Sequence, residues 1–366
     1  MRARLQGAVA RPAQRSCLRS CLRSSPRSSP RSSLHCRRWL GLAGGLLALA
    51  IIAVLGITVG SRDIALADIL GALRAPDLRD DQHLIVSLLR MPRTVVAILA
   101  GMALGVAGAL MQAVTRNPLA EPGLLGVNAG AALAVLIGMT AFGLTSVLQY
   151  VWCAFAGAGL AGAAVFAFGQ SRGAGAHPVR LVLAGAGLSV MLTSSAGIIL
   201  LNAPPEVFDG FRHWAAGSLE GSGYASAAVL AAAVAAGLAA AWAIVGQLNA
   251  MALGHDVGLA LGVNVRATAQ LACLAVMLLA GAATAAVGPI AFVGLVAPHL
   301  ARLSCGPDYR WILPLSALYA AVLLLGADVL GRVVAAPAEV AAGIVACLIG
   351  GPFFVWVACR YRLSRL

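Results

Sequence analysis

The side chains able to do chemistry in this chain are few. All 26 basic residues are arginine, against 13 acids and 6 histidines, and there is no lysine. A phosphate-binding loop of the Gly-Lys-Ser/Thr type needs its lysine on the nucleotide phosphates, so the chain carries no such ATPase site. Schiff-base chemistry fails on the same ground. The histidines, His35, His83, His177, His213, His255 and His299, include no His-Glu-x-x-His pair, and the 8 cysteines include no Cys-x-x-Cys pair. Cys17 and Cys21 stand four apart, without a second pair to complete a zinc site. Asp80-Asp81 offers half of an acidic metal site, but beside Asp77 and Arg79 it reads rather as a solvated loop. The expectation is a protein that is not an enzyme and holds no metal and no cofactor.

What positions these residues is a membrane. With 60% hydrophobic and 11% charged residues, the chain departs far from soluble domains, whose charged share is about a quarter. A hydrocarbon core about 30 Å thick takes roughly 20 residues of helix. Thr94 to Thr115 contains no ionisable residue at all. The pattern predicts an all-α polytopic fold with ten spans, at 39–60, 94–115, 122–142, 146–169, 179–201, 223–245, 266–287, 290–303, 311–330 and 339–359. The eighth is too short to cross unaided, and Pro289, Pro298 and His299 crowd it, so it is expected to be buried by its neighbours. With both termini in the cytoplasm, 10 arginines fall before residue 39 and 9 at inner ends, against 7 outside. That matches the positive-inside rule, with the tail carrying much of the signal.

Residues 1–38 read as a disordered Arg/Ser/Pro-rich arm. It is inert, lipid-touching, or sequence from an upstream start. Residues 39–360 are expected to form the transmembrane domain, and 361–366 a cytoplasmic end. The tail has no acid, and beyond it 16 arginines nearly balance 13 acids, so nucleic acid is not an expected partner. Arg37-Arg38 followed by an apolar run resembles a cleaved export signal, but the run is longer than such signals use, and a retained first span is expected.

The most distinctive stretch is Arg116-Asn117-Pro118-Leu119-Ala120-Glu121-Pro122-Gly123-Leu124-Leu125-Gly126, a polar break between two apolar runs. Its two prolines interrupt the helix and its glycines allow close packing of the next. Ion-coupled carriers place an ionisable residue inside the bundle. Here all 13 acids are expected in loops or at span ends, Asp328 and Glu339 coming nearest, with Glu339 in the first turn of span ten. The chain thus reads as a conduit powered from elsewhere, with the secondary carrier as the rival class.

That stretch, together with Arg90-Met91-Pro92-Arg93-Thr94, Trp214 to Leu219, Leu261 to Val265, the run from Gly288 to Arg302, Asp328 to Arg332, Pro337-Ala338-Glu339 and Gly350 to Phe354, closely resembles the FecCD family. These are BtuC-like permease subunits of type II ABC importers for iron-siderophores, haem and vitamin B12. The resemblance spans about residues 40 to 360 and implies inverted repeats, spans two to five against seven to ten. It implies a second permease copy as a homodimer or a heterodimer, cytoplasmic ABC ATPase subunits, an outer substrate-binding protein, and a bacterial inner-membrane location in contact with lipid. Ferric siderophore is the default cargo, with haem and cobalamin as alternatives.

The resemblance also assigns residues. Arg90, Arg93 and Arg332 would dock the binding protein, guanidinium being suited to gripping carboxylates. For Arg332 the alternative is an i,i+4 ion pair with Asp328, and for Arg93 an interface anchor. Ala252, Leu253, Gly254, His255, Asp256, Leu261 and Gly262, within the long connection 247–265, would form short coupling helices on the ATPase. Arg116, Asn117, Pro118, Glu121, Pro122, Gly123, Gly126, Pro289, Gly294, Pro298, His299 and Glu339 carry the family pattern. Spans five and ten, with Gly185, Gly187, Ser189, Thr193, Ser194 and Gly343, would line the path, though small residues also serve packing.

Overall fold

A computed structural model of the chain describes residues 30–60, 64–74, 77, 79–171, 175–176 and 178–360. The basic stretch before Pro30 and the end after Arg360 lie outside them, as do Cys17, Cys21 and His177.

The long apolar runs become helices because a backbone in lipid must satisfy its own polar groups. Helix α1 (Pro30–Thr58) is followed by α2 (Leu66–Arg74) and α3 (Asp81–Leu84). A π-helical turn at Ile85–Arg90 leads α3 into α4 (Met91–Thr115). After a 3₁₀ turn at Pro122–Leu125 come α5 (Val127–Ala141) and α6 (Val147–Gly169), then a two-residue hairpin, β1 (Gln170–Ser171) with β2 (Gly175–Ala176). The chain continues through α7 (Pro178–Leu201), α8 (Pro205–Ala215), α9 (Tyr224–Ala243), α10 (Val245–Ala252) and α11 (His255–Ala260). It ends with α12 (Val265–Val287), α13 (Val293–Cys305), α14 (Tyr309–Val334) and α15 (Ala342–Arg360).

Helix α4 is the axis of the bundle, packed on α14, α12, α13 and α9. Small residues let these backbones approach, the usual device where lipid supplies no hydrophobic drive between helices. A methyl on Gly101 would come within 2.6 Å of the Ala321 Cα, and one on Gly108 would overlap the Gly294 carbonyl. The helix starts follow local signals. Asp308 caps α14 by accepting from the Arg310 N–H at 3.0 Å, and Asn264 caps α12 by accepting from the Ala267 N–H at 3.0 Å.

A helix stands at each of the ten predicted spans, but only seven among the described residues are long and apolar enough to cross a bilayer. The third is shorter than expected because Pro122 opens a 3₁₀ turn and Gly126 turns left-handed (φ 72°), leaving Val127–Ala141. The eighth, α13, has 13 residues and is buried along most of its length. The tenth starts at Ala342, so Glu339 precedes the helix instead of sitting in its first turn. Asp328, expected at a span end, is fully buried within α14.

The bundle has two ends, each tied by side-chain bonds between distant segments. At the proximal end, where α1 starts, Arg37 donates to the Leu303 carbonyl at 2.7 Å and Arg38 to that of Cys305 at 3.2 Å, capping the last turn of α13. Arg37 and Arg38, placed in the tail by sequence, thus belong to the packed structure. At the distal end lie the close of α1, the start of α4 and the close of α14.

Candidate functional sites at the two ends of the bundle

At the distal end the three sequence-predicted arginines come together. Arg93 straddles two carboxylates: Nη2 lies 2.7 Å from Asp328 Oδ1 and Nη1 lies 2.7 Å from Glu339 Oε2. Arg332 Nη2 sits 2.8 Å from the other Asp328 oxygen, one helical turn away on α14. Buried charges of this kind persist only when paired.

Arg332 and Arg90 also have a second task. The last carbonyls of a helix have no intrahelical donor. Arg332 Nη1 donates to the carbonyls of Gly56 and Val59 at 2.9 and 3.1 Å, and Arg90 Nη1 to those of Ile57 and Thr58 at 2.9 and 2.7 Å. Gly60 leaves room for this, since a methyl there would lie 2.6 Å from Arg90 Nη2. Arg90 and Arg332 are only 6% and 3% exposed, so both are held chiefly by the chain itself. For Arg332 the i,i+4 alternative raised from sequence is thus present. The bonds to α1 were not foreseen, because nothing in the spacing links residues so far apart. A cavity of about 520 Å³ opens beside the cluster, with Arg93, Glu339, Glu220 and Ser222 on its wall.

In the interior, the two proline-glycine motifs meet. Arg116 closes α4 in a left-handed conformation (φ 52°), and Asn117 Oδ1 accepts from the Leu119 N–H at 3.0 Å, turning the chain before Pro118 can continue a helix. Glu121 Oε2 then accepts from the Phe292 N–H at 3.4 Å, just ahead of α13. Pro122 packs on Gly294, where a methyl would be 3.0 Å from the ring. Phe292 is itself left-handed (φ 66°), a strained conformation for a residue with a large side chain. Gly123 lies close to Glu121 and Asn128, and Asn128 accepts from the Thr284 hydroxyl at 2.9 Å. Gly217 (φ 75°) packs beneath the Pro289 carbonyl, while Pro298 and the buried His299 lie within α13, the imidazole edge-on to Phe353. Glu121 stands in the loop between α4 and α5, as expected, and from there reaches the segment ahead of α13.

At the proximal end, residues 247–265 fold as the short helices α10 and α11, joined through Leu253 and Gly254 (φ 126°). Val245, Leu248 and Met251 bury one face of α10. The other side of the pair exposes Leu253 (67%), Leu259 (52%) and Leu261 (61%). His255 and Asp256 open α11, and Gly262 (φ 78°) ends it. Beside α10 a cavity of about 300 Å³ is lined by Gln112, Arg116, Arg302 and Tyr309, with Gln112 accepting from Arg302.

Of the predicted path residues, Gly185 faces the Leu124 carbonyl and Gly343 the Ala216 carbonyl, so both serve packing. Gly187, Thr193 and Ser194 are exposed on α7. Among the described residues no group of three or more His, Cys, Asp or Glu is placed to hold a metal.

A helical bundle with seven apolar helices of membrane-crossing length among the described residues is a polytopic membrane protein. The chain belongs to the FecCD transport family, whose model matches residues 47–360. It is 42% identical over 330 residues to the ferric enterobactin transport system permease protein FepD of Escherichia coli (strain K12), covering 90% of this chain and 97% of that one. It is 39% identical over 321 residues to the iron(3+)-hydroxamate import system permease protein FhuB of Bacillus subtilis (strain 168), covering 88% and 83%. Its fold matches a solved inward-facing conformation described as a metal-chelate type ABC transporter, with TM-score 0.76 and 25% identity, over 87% of this chain and 98% of that one.

Proposed function

We propose that this chain is the membrane-spanning permease subunit of a binding-protein-dependent ABC importer whose cargo is a ferric siderophore. The observation that carries the cargo is the match, along nearly the whole chain, to permeases named for ferric enterobactin and ferric hydroxamate. Both cargoes are bulky iron chelates, which suits a path made of small side chains and recognition by a separate protein.

In this reading the proximal end is cytoplasmic, together with both termini. The exposed leucines of α10 and α11, with Ala252, His255, Asp256 and Gly262 around them, form the surface that the ATPase covers, since exposed apolar patches mark interaction sites. The distal end receives the binding protein. Arg93, only partly enclosed beside Glu339 and the cavity, is its contact, while Arg90 and Arg332 brace the rim. A second copy of this chain packs along α7. ATP hydrolysis by the partner drives the switch between outward and inward access, and this subunit contributes the path.

Uptake of labelled ferric enterobactin, ferric hydroxamate and haem, in cells with and without this gene and with a hydrolysis-dead ATPase, tests the reading. Loss of one ferric siderophore in both defects is the expected result. Loss of haem alone would reassign the cargo. Uptake that survives the dead ATPase and collapses with a protonophore would make the chain an ion-coupled carrier.

A further inference from the structure

Helix α10 is joined to the first turn of α14 by one side chain. Asn249 Nδ2 donates to Asp308 Oδ1 at 2.9 Å, and Asn249 Oδ1 accepts from the Tyr309 N–H at 2.8 Å. A backbone N–H can only donate and a carboxylate can only accept, so the amide has one orientation that satisfies both. Asp308 is also the N-cap of α14 and lies 3.8 Å from Arg38 Nη2. Arg38 in turn holds the end of α13 through the Cys305 carbonyl. A displacement of α10 therefore reaches the place where α1, α13 and α14 are already tied together.

From that point α14 continues for 26 residues, about 39 Å at the rise of an α-helix. Near its far end Asp328 receives Arg93 and Arg332, and through Arg93 it is linked to Glu339 ahead of α15. One helix thus carries a bonded attachment at each end. Apolar contacts between helices can slide, whereas the paired bonds of Asn249 resist sliding because both break together.

We infer that Asn249 is the positioning residue that transmits movement of the α10–α11 surface to α14, and through it to the distal charge cluster. This rests on the reading of that surface as the seat of the ATPase. Its failure and the failure of that reading separate in one experiment: the complete transporter in proteoliposomes, with ferric enterobactin and its binding protein, scored as ATP hydrolysed per iron transported. ATP-independent uptake by the wild type would refute the functional reading, whatever Asn249 does.

With a coupled wild type, Asn249→Ala is expected to raise the ATP consumed per iron by about tenfold. Asn249→Asp sets a second carboxylate against Asp308 and is expected to behave similarly. A wild-type ratio in Asn249→Ala would overturn the proposal. So would a wild-type ratio in Asn249→Asp, or loss of the ATPase from the Asn249→Ala complex, which would make the residue part of the docking face.

Discussion

Asp328 shows what a single carboxylate does inside a membrane protein. It is fully buried and shared by Arg93 and Arg332. Removing one member of a buried charge group leaves the others uncompensated, a loss of about 3–5 kcal/mol. Asp328→Ala should therefore unfold at distinctly lower SDS fraction than wild type, and Asp328→Asn, which keeps an acceptor for one arginine, should fall between them. Equal stability of all three would mean that solvent in the neighbouring cavity screens the arginines. Sequence spacing exposes the Asp328–Arg332 half of this cluster, because i and i+4 face each other on a helix. It does not expose Arg93, which lies 235 residues away.

Among the elements, α4 and α13 carry the most demanding contact. Gly108 stands against the backbone of Gly294, so Gly108→Ala must push the two helices apart, at about 1–3 kcal/mol by the measure of overpacked cores. Gly187→Ala on α7, where a methyl meets nothing within 4 Å, should stay within about 0.5 kcal/mol of wild type. Thermal unfolding in one detergent would compare the pair, and the opposite order would show that α4 and α13 repack freely. The glycines and prolines of both motifs were visible as breaks in apolar runs, and the length of 247–265 already implied more than a turn. Two things were not visible. One is that Glu121 reaches across to Phe292, a contact between segments that sequence cannot align. The other is Asn249, an unremarkable asparagine until α14 is placed beside it.

At the scale of the molecule, α1 and α7 are the least buried of the long helices. Their outer surfaces differ. From Trp39 to Gly56 α1 offers no polar side chain, as lipid requires, whereas α7 exposes Thr193, Ser194 and Ser195 beside Val190 and Met191. Met191→Cys in a background without the native cysteines should therefore form a disulfide-linked dimer on mild oxidation in membranes. Leu47→Cys on α1 should not. A reversed result would place the second copy on α1. The all-α membrane class and the ten helices followed from hydropathy alone, because that pattern is set by the solvent. Span lengths within the bundle did not, because α13 is largely enclosed by protein and need not match the bilayer, and α5 is shortened by the turn at Pro122–Gly126.

The far end of α1 has a consequence for how the chain is made. Its closing carbonyls are satisfied by Arg90 and by Arg332, which follow it by 32 and 276 residues. The end of α1 is thus completed only when the ninth predicted span arrives, and until then it is held by Arg90 alone. A chain that stops short of Asp328 leaves α1 half-capped and Arg93 without its buried carboxylate.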